Sequence, residues 1–88
     1  MAEKLRVYTA AAVTLMTQLR AAGFSSNAQL NSHSDEWKWT LTSGEGTRFR
    51  GKSDNVRQGG LEPFEVAFWH AVENAQKLGA IHVKDASH

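Results

Sequence analysis

Two short runs, Trp37-Lys38-Trp39-Thr40-Leu41-Thr42 and Arg48-Phe49-Arg50-Gly51, constrain this chain more than any other part. Trp37, Trp39 and Leu41 alternate with Lys38, Thr40 and Thr42, which is the period of a strand buried on one side only. The second run follows closely, so the two pair as an antiparallel hairpin. Opposed residues in such a pair share a face, and Phe49 joins the tryptophans only if its partner is odd-numbered. A three-residue loop, Gly44-Glu45-Gly46, satisfies this, with Gly46 at the left-handed position of a type I turn and G1 bulge. The expected pairs are then Leu41 with Phe49 and Trp39 with Gly51, the indole lying over the glycine. On the other face Thr42 meets Arg48, Thr40 meets Arg50 and Lys38 meets Lys52. A loop of two or four residues would bury both arginines among the tryptophans, at several kcal/mol for each unpaired charge.

Two helices are expected to cover the aromatic face. In residues 3–22, Leu5, Tyr8, Ala12, Leu15, Met16 and Leu19 recur at helical spacing. Gly23 can take the left-handed conformation that stops the helix, and Phe24 falls where it presses back onto Leu19. Glu62 and Pro63 open the second helix. Its stripe is Phe64, Ala67, Phe68, Ala71, Val72, Ala75 and Leu78, and Gly79 ends it. Residues 28–30 alternate as a short edge strand would, although their β-propensity is poor. Between the hairpin and the second helix runs a loop marked by Ser53-Asp54-Asn55 and Gly59-Gly60, with Val56 expected to tuck inward. Ile81-His82-Val83 alternates again and suits a short last strand. The expected fold is a single small α+β domain over residues 1–88, two layers deep: helix, antiparallel hairpin or three-stranded sheet, helix.

Composition narrows the function classes. The 88 residues include no cysteine, so no disulfide or Cys-based zinc site supports the core, which fits a cytoplasmic protein. No apolar run reaches the roughly 20 residues of a membrane span, and the opening Met-Ala-Glu-Lys-Leu-Arg does not lead into a secretory signal. Net charge is only +1, too little for whole-molecule attraction to nucleic acid, but the charge is unevenly placed. Lys38, Arg48, Arg50, Lys52 and Arg57 face only Glu45 and Asp54 in their segment, whereas the second helix carries Glu62, Glu65 and Glu73.

Two surfaces are candidates for contact with a partner. Lys38, Arg48, Arg50 and Lys52, with Arg57 nearby, form a basic face suited to phosphates or to an acidic protein surface. The opposed lysines cost stability in the isolated chain, which suggests an anionic neighbour. Val66, Trp69 and Glu73 are expected on the side of the second helix away from the core stripe, where an exposed tryptophan would anchor a protein partner or a second copy. The four histidines have no metal-ligand spacing, and no metal or cofactor is expected. No nucleophile, base and orienter can be read from spacing, and no phosphate-binding glycine motif is present, so the expectation is not an enzyme.

Helix at 5–24, strands at 37–51 and helix at 63–79 together resemble the double-stranded-RNA-binding domain. That family carries a lysine cluster at the start of its last helix, where this chain has Glu62-Pro63-Phe64-Glu65. The resemblance therefore implies the fold and not the function. A Trp-x-Trp strand, then Gly44-Glu45-Gly46-Thr47-Arg48-Phe49, then an alanine-rich helix is similar in style to small accessory proteins of phages and plasmids. That likeness implies an accessory or inhibitor factor acting by protein–protein contact. Nucleic-acid binding through the basic hairpin face is the alternative.

Overall fold

A computed structural model describes residues 8–81. The element order is α1 (Ala10–Ala21), β1 (Ser25–Asn31), β2 (Glu36–Thr42), β3 (Arg48–Asp54) and α2 (Pro63–Lys77), with the strands in the sheet order β1-β2-β3. This is the expected α+β arrangement, and the strand at 28–30 extends over all of β1.

The hairpin register matches side-chain parity. Leu41 opposes Phe49, Trp39 opposes Gly51, and Lys38, Thr40 and Thr42 oppose Lys52, Arg50 and Arg48. Ser43 N donates to the Thr47 carbonyl at 2.8 Å and Gly46 sits at φ +92°, so the loop is Gly44-Glu45-Gly46. Gly51 has a stronger reason to be glycine than the indole beside it. A Cβ there would lie 2.2 Å from the Ala67 carbonyl oxygen and 2.3 Å from the Ala71 nitrogen. The backbone of α2 thus rests directly on β3, which the small residues Ala67, Ala71 and Ala75 permit.

Both helices lie on the tryptophan side. Ala12, Leu15 and Leu19 of α1 share one buried cluster with Phe68 and Val72 of α2 and with Trp39, Leu41 and Phe49 of the sheet. Phe68 meets Trp39 edge to face at 5.1 Å, a favoured aromatic geometry. The Trp39 indole N–H is buried there without an acceptor, a desolvation cost of about 1–3 kcal/mol. The stop at Gly23 is the expected one: Phe24 N donates to the Leu19 carbonyl and Gly23 N to the Arg20 carbonyl.

Four expectations need correction. First, α1 begins at Ala10 and excludes Tyr8 and Thr9, because the Thr9 side chain accepts the Ala12 N–H and caps the helix; residues 3–7 of the expected helix lie outside the described residues. Tyr8 therefore precedes the helix, packed edge to face on Phe64 and Trp39. Second, Leu78 is 74% exposed, since the helix ends at Lys77 and Leu78 is its C-cap residue. Third, Val56 is 55% exposed, turned outward by the bond from its own N–H to the Asp54 carbonyl. Fourth, the last strand expected at 81–83 is not seen at Ile81, which is buried outside any strand; residues 82 and 83 lie outside the described residues.

Candidate binding surface

With both helices on one side, no element among the described residues covers the other side of the sheet. Its side chains fall into four cross-strand rows: Ser25, Thr42, Arg48; Asn27, Thr40, Arg50; Gln29, Lys38, Lys52; Asn31, Glu36, Asp54. The bond between Ser43 and Thr47 sets the alternation, so Lys38 and Lys52 fall on a non-hydrogen-bonded row, where Cα atoms approach to about 4.5 Å. Along β3, alternate residues are spaced by roughly 7 Å, so Arg48, Arg50 and Lys52 line a strip roughly 14 Å long. Lys38, Arg48, Arg50 and Lys52 are all exposed. Among the described residues the ion pairs are Arg57 with Glu62 and His70 with Glu73, so none of these four cations is neutralised by a carboxylate.

Arg57 does not join them. It lies beyond β3 on a miniature hairpin, where Gln58 and Leu61 bridge across Gly59 and Gly60, both at positive φ. That turn sets Arg57 beside Glu62, with Nε 3.4 Å from the carboxylate, and lets its guanidinium donate to the Gly60 carbonyl.

The helix-two surface differs from the expectation. Val66 and Trp69 are half-buried and only Glu73 is exposed. The Trp69 ring stands edge to face on Phe68 at 5.0 Å, and its Nε1 donates to Glu65 Oε2 at 2.8 Å. Glu65, one turn earlier, is 1% exposed. It also accepts the Thr9 N–H on Oε1 at 2.8 Å and the Thr9 hydroxyl on Oε2 at 2.6 Å. The start of α1 is thereby tied to the first turn of α2, and Trp69 is held within that joint rather than standing bare. Glu65 and its partner Thr9 are 56 positions apart in the sequence, so no local spacing could have disclosed the pairing.

A second feature escaped the sequence reading. Asn74 Nδ2 donates to the Arg50 carbonyl at 2.6 Å, spanning the outer edge of β3. Beside it a groove of about 420 Å³ is lined by Arg48, Phe49, Arg50, Asn74, Lys77 and Leu78. No acidic side chain lines it.

Elsewhere, His70 Nδ1 lies 3.8 Å from Glu73 Oε1 on the surface of α2, an ordinary pair one turn apart. No three His, Asp or Glu side chains converge as metal ligands among the described residues. None of the helices described is long and apolar enough to cross a membrane. Comparison with family models, with curated proteins and with solved structures found no match.

Proposed function

We propose that this chain is a non-enzymatic binding protein that docks the open face of its sheet on an acidic surface of a protein partner, as an accessory or inhibitor factor. The observation carrying this reading is the Lys38–Lys52 row beside Arg48 and Arg50, four cations on one face that form no ion pair among the described residues, although Glu36 and Asp54 occupy the next row. Like charges directly opposite each other cost stability unless an anion is brought to them. Hydroxyl and amide side chains share the face with the cations, so an acidic protein surface can meet it without deep insertion. The exposed parts of Val66 and Trp69, with Glu73, make a second and smaller contact surface in this reading.

Nucleic acid is the second reading, favoured by the same cations interleaved with Thr40, Thr42 and Asn27, side chains that commonly contact phosphate oxygens. One experiment separates the two. The native chain and an Arg48→Gln/Arg50→Gln variant are used for affinity capture from the native host, with and without nuclease. A protein retained by the native chain after nuclease and lost by the variant supports the first reading. Loss of every partner on nuclease treatment transfers the function to nucleic acid. Identical capture by both chains removes the basic face from either role.

A further inference from the structure

The exposed Leu78 and Lys77 lie outside the open face, on a groove that shares only Arg48 and Arg50 with it. We infer that this groove takes an extended acidic segment of the partner protein, carrying one aliphatic side chain among its carboxylates; the inference rests on the proposal that the partner is an acidic protein.

The groove joins two kinds of surface. Arg48 and Arg50 come from the strip of cations on β3, and Lys77 adds a third charge position from the last turn of α2. The lining also includes Phe49, itself buried in the core, and Leu78, which is 74% exposed. Three cations with no acid between them fit carboxylates. The exposed aliphatic side chain of Leu78 beside them fits a Leu or Val side chain, whereas a nucleic-acid strand is commonly held by stacking its bases on exposed aromatic rings. The volume of about 420 Å³ suits a few residues of extended chain rather than a helix face. Asn74 already occupies the Arg50 carbonyl on this edge, so side chains hold the segment at that point rather than an added strand ladder. Acidic linear segments are ordinarily recognised by clustered basic residues.

The test uses a short synthetic peptide of glutamates around a central leucine, titrated at low salt while backbone amide shifts of the protein are followed. Lys77→Gln and Leu78→Ser alter the groove alone, and Lys38→Gln and Lys52→Gln alter the open face alone. All four positions are exposed, and circular dichroism checks that each variant folds. The expected result is shifts concentrated at residues 48–50 and 74–78. Affinity should fall about threefold or more in each groove variant, and by a similar factor when the peptide's leucine is replaced by serine. The face variants should change it less than about twofold. If the face variants weaken binding and the groove variants do not, the groove is overturned and the acidic partner on the open face stands. If the peptide causes no shifts and a single-stranded oligonucleotide of similar charge does, both readings fall. No shifts with either probe also overturns the groove.

Discussion

Gly51 and Glu65 each hold a close junction between elements. At Gly51 the helix backbone leaves no room for a methyl group, and the atoms in the way are backbone, which cannot rotate aside. Gly51→Ala should lower unfolding free energy by about 3 kcal/mol, the upper part of the usual overpacking range, as read by urea denaturation. An unchanged midpoint would show that α2 can lift off β3 at little cost. Glu65 joins the Thr9 backbone, the Thr9 hydroxyl and the Trp69 indole. Glu65→Gln keeps the shape but offers only one acceptor oxygen, leaving at least one buried donor unpaired. A loss of about 2 kcal/mol is expected, together with a change in tryptophan emission because Trp69 loses its partner. Trp69→Ala is a poor probe of an interface for the same reason: it removes ring packing on Phe68 as well as any partner contact. Val66→Ser disturbs less and is the better choice there.

The hairpin closes with the turn its glycines demand, and its far end is fastened by Trp37 Nε1 donating to Asn55 and by Asn55 Nδ2 donating to Asp35. Within this well-held frame the Lys38–Lys52 row is a retained cost. Lys52→Glu should convert repulsion into attraction and raise stability by up to about 1 kcal/mol. It should also weaken binding of an acidic partner. A variant neither stabler nor weaker in binding would mean that the two lysines are spread too far apart in solvent to interact. Helix α1 is set by its cap: Thr9→Ala removes the bond to the Ala12 N–H and the hydroxyl bond to Glu65, for an expected loss of about 2 kcal/mol by thermal melts.

The whole molecule is two-sided. Among the described residues, the helices and core aromatic side chains occupy one side of the sheet, and a polar face with a basic strip along β3 occupies the other. Because the net charge is only +1, attraction to an anionic partner must come from the local patch and should be screened over about 8–10 Å at moderate salt. Raising salt from low to physiological concentration should therefore weaken binding clearly. The Arg48→Gln/Arg50→Gln variant should keep a thermal midpoint close to native, since both side chains are exposed, and lose most of the salt dependence. A salt-independent interaction would instead place the contact on the apolar part of α2.

The amino-acid sequence by itself determined the hairpin register, the two helix stops and the composition of the basic face. These follow from side-chain parity along a strand and from glycine's access to positive φ, both of which act over a few residues. Tertiary structure alone decided the rest. It started α1 at Ala10, where Thr9 could reach a carboxylate on the other helix. It drew Trp69 halfway under cover and left Leu78 outside. It also moved Arg57 out of the basic cluster and into a pair with Glu62, because a two-glycine turn carried it there. In each case the deciding contact depends on how α2 lies across β3 or on how a loop turns, and the helical period of a single segment cannot encode it.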